Sequence, residues 1–276
     1  MPFAQIDDLS IYYKIQGDSG SPVILITGFS ASHVEWPTPT LGKLLTQHQL
    51  ILFDNRGVGQ TSFSAEPYTM SQLATDTVGL LDALHFDKVH VVGLSMGGMI
   101  AQHIALNYPD KVNGLVLGCT SAGKTGQPIL VQPSAEVLRI LEETSSVNRA
   151  QSIRKNWSIC YTPTFFESHQ ALLEERLQAI LAYPAPPDDT YQLQMQAMMQ
   201  SHDTFSRLST ITHPTLVQTG LEDKVIPPKN SRILAECLTD VQLIEYPNAA
   251  HSYLEETNLV AAEDILTFLE RVETEC

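Results

Sequence analysis

The sequence predicts an α/β fold with a mostly parallel central sheet, flanking helices and an inserted helical region. Short apolar runs, typical of strands buried on both faces, alternate with helical patterns in residues 1–121 and again in residues 209–276. Strands and helices that alternate at this spacing indicate parallel β-α-β units. Residues 122–208 lack such runs and show helical patterns instead. We therefore expect residues 1–121 and 209–276 to form one core, into which residues 122–208 are inserted as a helical cap.

Each strand of this core is predicted from its own stretch of sequence. The first alternates apolar and polar residues and is followed by the turn SGSP, whereas most of the others are nearly continuous apolar runs. The predicted strands cover residues 9–17, 23–28, 50–54, 88–94, 112–119, 213–220 and 241–246.

Helical spacing of apolar residues lies between these strands. Ser71 is a candidate N-cap for the helix predicted over residues 70–85. In the inserted region a proline cluster at 183–190 separates two helical stretches from a last segment, 191–208. The predicted helices cover residues 40–48, 70–85, 96–107, 134–146, 165–183, 228–238 and 259–272.

Composition and charge exclude several classes of function. The chain has 276 residues, of which 43% are hydrophobic, and a formal net charge of −15. A surface this acidic repels phosphate backbones and anionic lipids, so we expect neither nucleic acid nor a membrane as partner. The first residues show no secretory signal, no apolar run is long enough for a membrane span, and four scattered cysteines show no metal-ligand spacing. These features predict a cytoplasmic protein without a metal.

The segment GLSMG at residues 93–97 carries the first candidate for chemistry. It matches G-x-S-x-G and lies between a predicted buried strand and a predicted helix, which is the context that a nucleophilic serine requires. The tight turn would project the Ser95 hydroxyl at the carboxyl edge of the sheet. The backbone N–H of Met96 would then stand at a helix N-terminus, where it can bind an oxyanion. The competing interpretation is a chance turn that contains a serine.

Two further loops supply a base and an acid for Ser95. His251 follows the last predicted strand, and Asp223 follows the strand before it, so both lie at the carboxyl edge of the sheet. Glu222 and Asp54 are rivals for the acid, but Asp54 precedes the serine. The order Ser95, Asp223, His251 is nucleophile, acid, base, the chain order of a hydrolase triad. Three separate loops in this order are much harder to obtain by chance than one pentapeptide.

With these residues in place, the chain resembles the α/β-hydrolase family over essentially its whole length, and within it the branch of small serine esterases, enol-lactonases and cofactor-free perhydrolases. The resemblance implies that the helical insertion is a cap over the active site and that neither a metal nor an organic cofactor is needed. The matching segments are ILITGFS (24–30), DNRGVGQTS (54–62), GLSMGGMIAQ (93–102), PTLVQTGLEDKVIP (214–227) and PNAAHSYLEE (247–256).

The resemblance also assigns roles to individual residues. It makes the backbone N–H of Phe29 the second oxyanion donor, beside that of Met96. Thr27 stands where many members of the family carry a histidine. Asp54 and Arg56 belong to a structural turn of the family and are expected to hold loops together.

The resulting hypothesis is a serine esterase that cleaves small carboxylic esters through Ser95, His251 and Asp223, with an acyl-enzyme intermediate. Its rate should fall as the pH drops through roughly 6 to 7, because the base must be neutral. Trp36, Trp157 and Val225 are candidates for the substrate pocket. A lactonase, a C–C bond hydrolase or a perhydrolase on the same triad, and a non-catalytic receptor for a small ligand, are further functions that the sequence leaves open.

Overall fold

Eight strands form a single sheet in the computed structural model, which describes residues 2–124, 126–144 and 148–275. Their order across the sheet is β1-β2-β4-β3-β5-β6-β7-β8. The pairs β1/β2 and β2/β4 are antiparallel, and all other neighbours are parallel. This mostly parallel sheet confirms the predicted fold class. The strands are β1 (Phe3–Ile6), β2 (Leu9–Gln16), β3 (Pro22–Ile26), β4 (Gln49–Phe53), β5 (Val89–Leu94), β6 (Val112–Gly118), β7 (Thr215–Gly220) and β8 (Val241–Tyr246).

Helices cover both faces of the sheet, because the central strands are apolar on both sides. In β3, Ile24 and Ile26 belong to one hydrophobic core, and Val23 and Leu25 belong to the other. The core helices are α1 (Thr38–Leu44), α2 (Met70–Ala83), α3 (Met96–Asn107), α9 (Lys229–Cys237), α10 (Tyr253–Glu256) and α11 (Val260–Glu275). Apolar residues of α2, α3 and α9 pack in the first core, and those of α1 and α11 pack in the second.

The expected N-cap of α2 is wrong by two residues. The helix begins at Met70, and the side chain of Thr69 accepts a hydrogen bond from the N–H of Gln72 at 3.1 Å. Thr69 is extended, with φ −112° and ψ 166°, as an N-cap residue should be, whereas Ser71 already lies in the first turn. The strand β1 was also absent from the prediction, because its four residues carry little pattern.

The described residues between β6 and β7 form five α-helices, inside the segment predicted as the helical insertion. They are α4 (Ala135–Glu142), α5 (Arg149–Cys160), α6 (Pro163–Ser168), α7 (Gln170–Leu181) and α8 (Asp188–Ser201). The single helix predicted over 165–183 is wrong, because His169, with φ −114° and ψ 31°, leaves the helical conformation between α6 and α7. Of the predicted stretch 134–146, residues 145 and 146 lie outside the described residues. None of the helices that the structure describes is long and apolar enough to cross a membrane.

Candidate active site

Ser95 connects β5 to α3 in a conformation that few side-chain-bearing residues adopt. Its φ is 55° and its ψ is −120°, values that cost a residue other than glycine on the order of 1–3 kcal/mol. Neighbouring elements hold it there. Its N–H donates to the carbonyl of Gly118 at 2.8 Å, and its own carbonyl accepts from the hydroxyl of Thr120 at 2.7 Å. Such strain, held in place by its surroundings, is typical of functional sites.

The two glycines of the motif allow this turn by leaving room for backbone. A Cβ atom on Gly97 would lie 2.2 Å from the carbonyl oxygen of Ile26, and one on Gly93 would lie 2.3 Å from that of Gly97. Both distances are far below a van der Waals contact, so a larger residue would push α3 away from the sheet. The close approach of α3 depends on these glycines.

His251 and Asp223 are brought together by the loops that follow β8 and β7. The Nδ1–H of His251 donates to Oδ2 of Asp223 at 2.8 Å. The other carboxylate oxygen, Oδ1, accepts from the N–H groups of Val225 at 2.8 Å and Ile226 at 2.9 Å. Asp223 is therefore buried, fully engaged and fixed in orientation, and it leaves Nε2 of His251 as the ring atom for other partners.

Glu222 and Asp54, the two alternatives to Asp223 as the acid, form no hydrogen bond or ion pair with His251 in the described structure. Glu222 is exposed at the surface. Asp54 is fully buried, but its oxygens accept from the ring of His33 at 2.8 Å, the N–H of Gln60 at 3.0 Å and the hydroxyl of Tyr183 at 2.7 Å. It ties together three segments of the chain.

Arg56, from the same turn as Asp54, also serves to join elements. Its Nε and Nη2 atoms donate to the two carboxylate oxygens of Asp76 at 2.9 and 2.8 Å. This bidentate pair fixes the turn to α2.

Two opposing effects set the pKa of His251. Burial lowers it, but the adjacent carboxylate of Asp223 raises it and prevails, so that the pKa stands well above its ordinary value of 6.5. The thiol of Cys119, which follows β6 with a φ of 41°, is a second neighbour of the ring and adds to the rise. A histidine with a raised pKa loses its neutral form at a higher pH than the range of 6 to 7 expected from the sequence.

Ser95 and His251 lie in the wall of one cavity of about 510 Å³ between the sheet and the inserted helices. This volume suits a small organic ligand. In this structure, which describes both residues in full, no hydrogen bond joins the Ser95 hydroxyl to His251. Such bonds are often long in an empty site and tighten around substrate.

Most of the cavity wall is apolar, and two of the three predicted pocket residues lie in it. Trp157 of α5 and Val225 line the cavity. Trp36 is not among the described residues that line it; this side chain is only 4% exposed and packs in the second hydrophobic core. Its position soon after the Gly28–Phe29 loop does not bring it to the site, because its side chain turns toward α1 and α11.

Two backbone N–H groups are free at the Ser95 side of the cavity. Those of Phe29 and Met96 donate to no other group in the described parts of the chain, and Met96 is the first residue of α3. A Cβ placed on Gly28 would lie 3.7 Å from the Ser95 hydroxyl oxygen, which shows how closely this loop approaches the serine.

Thr27 braces the loop that carries Phe29. Its hydroxyl donates to the carbonyl of Ala31 at 2.8 Å and accepts from the side chain of Asn55 at 3.4 Å. The hydroxyl thus closes the loop internally.

A charged cluster in the cavity wall was not predicted from the sequence. Arg176 of α7 pairs with Glu255 at 2.6 Å and donates to the carbonyl of Glu35 at 2.5 Å. Tyr161 donates to the same Glu255 carboxylate. Burial raises the pKa of Glu35, although Ser32 and two arginines oppose the change. The cluster joins three distant segments, so no local pattern in the sequence could have indicated it.

Metal ligands form no group at this site. Among the described residues, no cluster of three or more histidine, cysteine, aspartate or glutamate side chains could hold a metal ion. The groups nearest to Ser95 and His251 that the structure describes include a hydroxyl, an imidazole paired with a carboxylate, the Cys119 thiol and two free N–H groups.

The fold and this site define a class of protein. Residues 21–257 match the alpha/beta hydrolase fold family. Because the match spans most of the chain, the protein belongs to this family, which confirms the resemblance seen in the sequence, and it is a hydrolase.

Particular relatives are similar over nearly the whole chain. "Putative carbamate hydrolase RutD" of Azorhizobium caulinodans is 28% identical over 268 residues, covering 97% of this chain and 98% of that protein. "3-oxoadipate enol-lactonase 2" of Acinetobacter baylyi is 27% identical and covers 88% of this chain and 87% of its own. The solved structure of a thermophilic esterase from Thermogutta terrifontis superposes with a TM-score of 0.80 at 26% identity, over 96% of this chain and 94% of that one.

Proposed function

We propose that this hydrolase cleaves small carboxylic esters by acyl transfer through Ser95, His251 and Asp223. The observation that carries the proposal is that a strained serine, a histidine paired with a buried carboxylate and the loop residue Phe29 line one cavity, while Met96, whose N–H is also free, directly follows the serine. This set supplies a nucleophile, a base and an oxyanion site.

The first half of the proposed reaction acylates the serine. Nε2 of His251 accepts the hydroxyl proton as the Ser95 oxygen attacks the ester carbonyl carbon. The carbonyl oxygen becomes an oxyanion, to which the N–H groups of Phe29 and Met96 donate. His251 then gives the proton to the leaving alkoxide as the carbon–oxygen bond breaks, and an alcohol departs.

In the second half, water takes the place of the alcohol. His251 removes a proton from water, the hydroxide attacks the acyl-enzyme, and the proton returns to the Ser95 oxygen as the carboxylic acid leaves. Asp223 keeps the imidazole in one tautomer and stabilises its cationic form in both halves.

Covalent labelling tests this proposal directly. A fluorophosphonate should modify one residue, Ser95, and Ser95→Ala should lose at least about a thousandfold in kcat towards p-nitrophenyl acetate while remaining folded. Peptide mapping identifies the labelled residue. Labelling elsewhere, or a Ser95→Ala enzyme with full activity, would contradict it.

A lactone is the second candidate substrate, because it is a cyclic ester and the same steps open its ring. The similarity to an enol-lactonase favours a lactone over a C–C substrate, a peracid-forming reaction or a ligand that is only bound. A panel of p-nitrophenyl esters of rising chain length, beside a lactone, a carbamate and a C–C substrate, ranks these substrates by kcat/KM. The largest value for the lactone would make lactonase the better description.

A further inference from the structure

The cap helix α8 reaches down to the loop that offers the Phe29 N–H. The side-chain oxygen Oε1 of Gln194 accepts a hydrogen bond from the N–H of Ser30 at 2.7 Å. One turn earlier in the same helix, the ring of Tyr191 packs edge-on against that of Phe29, with 6.1 Å between the centroids. Two contacts from one helix therefore hold two adjacent residues of the loop.

The loop needs such support because its backbone is strained at the next residue. Ser30 has a φ of 57°, in the left-handed region that residues with side chains seldom occupy. A strained peptide of this kind persists only where surrounding groups fix it. A bond of 2.7 Å to a side chain that is itself fully buried is strong support, since no water competes for the N–H.

Burying the polar amide of Gln194 costs folding free energy, so a glutamine at this position calls for an explanation. Its residue is 0% exposed, and its Nε2 atom has no hydrogen-bond partner in the described part of the chain. An unpaired buried donor destabilises the protein by about 1–3 kcal/mol. An apolar side chain of similar length would avoid this cost and pack equally well, so packing alone does not account for a glutamine here.

We propose that Gln194 is a positioning residue for the oxyanion hole. By holding the Ser30 N–H, it fixes the Phe29–Ser30 peptide plane and, through the Phe29 Cα, the direction of the neighbouring Phe29 N–H. The cap thereby takes part in stabilising the transition state as well as enclosing the substrate. This inference rests on the proposed function, because it requires an oxyanion at Ser95.

Two substitutions separate positioning from packing. Gln194→Met keeps the length and apolar stem but removes the acceptor, whereas Gln194→Glu keeps an acceptor oxygen. Gln192→Met, on the more exposed side of the same helix, is the matched control. In Gln194→Met we expect kcat for p-nitrophenyl butyrate to fall about tenfold to a hundredfold with KM within twofold, because the lost interaction acts only in the transition state.

The Glu variant should recover most of kcat, and the Gln192→Met control should match the wild type. Binding of an alkylboronic acid, whose tetrahedral adduct with Ser95 places an oxygen in the hole, should weaken in Gln194→Met by the same factor as kcat. A purely structural side chain would not produce this parallel loss. Equal kcat in Gln194→Met and wild type, or a loss that appears only in KM, would overturn the inference.

The experiment distinguishes this inference from the proposed function. The wild type is first labelled with a fluorophosphonate. If Ser95 is not labelled, both the proposed function and the inference are contradicted. If Ser95 is labelled at the same rate in the wild type and in Gln194→Met, only the inference is contradicted. If Gln194→Met does not fold, Gln194→Asn, whose amide is too short to reach Ser30, should show the same loss of kcat, and unchanged kcat would overturn the inference.

Discussion

His251 illustrates how one residue's surroundings decide its chemistry. The side chain is 13% exposed, and its partial burial alone lowers the pKa of the ring, yet the carboxylate of Asp223 lies 2.8 Å away and raises that pKa. A base with a raised pKa is stronger, but less of it is neutral at pH 7. Greater base strength raises the rate and a smaller neutral fraction lowers it, and the dependence of the rate on pH shows which effect is larger.

We expect kcat/KM for p-nitrophenyl acetate to fall on the acid side, with the midpoint of the fall at a pH above 6.5. Only neutral His251 can accept the Ser95 proton, so activity is complete above the raised pKa and falls as the pH drops through it. The measurement is kcat/KM at constant ionic strength from pH 5 to 9. An acid limb with its midpoint below 6.5 would show that burial outweighs Asp223.

At the residue scale, a candidate residue with a local motif is predictable from the sequence, whereas a residue whose partner is distant carries no local signal. Ser95 was predicted from a pentapeptide in its strand–helix context. Gln194 was not, because it acts on Ser30 from 164 positions away and lies in a helix with no distinguishing pattern. Cys119 was likewise taken as one of four scattered thiols, although the end of β6 places it beside His251.

At the scale of elements, the extent of burial explains why most strands were predicted from the sequence and some helices between β6 and β7 were not. The central parallel strands are buried on both faces and therefore read as short apolar runs. Most of the helices between β6 and β7 bury one face only, and in α5, with the sequence RAQSIRKNWSIC, Ile159 is the buried residue. Its polar sequence gave no helical period, and it was not predicted.

A buried histidine pair joins α3 to the end of the cap. His103 of α3 and His202, which follows α8, lie 3.4 Å apart between ring nitrogens, and His202 also donates to the carbonyl of Ser121 at 2.8 Å. Burial lowers the pKa of His103 to about 4 and that of His202 to about 3. Both are thus neutral in the folded protein at pH 7, and each becomes protonated near pH 6.5 once the chain unfolds.

Acid should therefore weaken this junction. For a group whose pKa is lowered on folding, the stability is complete above the unfolded value of about 6.5 and is lost as the pH falls through it. Lowering the pH from 7 to 5 should cost about 2 kcal/mol through His103. Urea unfolding should show that His103→Gln reduces the difference in stability between pH 7 and pH 5 by about this amount.

Exposed His169 provides the control for this prediction. His169→Gln should leave the difference between pH 7 and pH 5 unchanged. An equal pH dependence in His103→Gln and the wild type would contradict the proposed acid sensitivity of the pair. His48 and His90, whose pKa values are also lowered by burial, keep their contribution in both variants.

At the scale of the whole molecule, the topology of the sheet made the site predictable. Parallel strands end at the same edge, so the loops after β3, β5, β7 and β8 meet there, although they are far apart in the sequence. The serine motif, the positions of the loops after the strands and the chain order together were enough to propose Ser95, Asp223 and His251 as candidates. The residues that line the cavity were harder to predict from the sequence, as Trp36 shows. The direction of a side chain depends on tertiary packing, which the periodicity of the sequence does not encode.

The net charge of −15 also acts on the whole molecule, and it should make substrate charge matter. The negative charge of the protein repels anionic substrates as they approach. Added salt screens this repulsion, because the Debye length falls from about 30 Å at 0.01 M salt to about 8 Å at 0.15 M. We expect kcat/KM for p-nitrophenyl hemisuccinate to rise severalfold over this range of NaCl, whereas kcat/KM for neutral p-nitrophenyl butyrate, of the same acyl length, should stay nearly constant.

The cavity offers a competing effect, which the same titration resolves. Arg149 and Arg176 both line it, together with three carboxyl groups, and one of these, Glu255, lies 2.6 Å from Arg176. If these arginines govern the encounter, added salt will lower kcat/KM for the hemisuccinate. A rise with salt means that the overall acidic surface prevails over the charged cluster, and that neutral esters are the substrates to which this molecule is electrostatically suited.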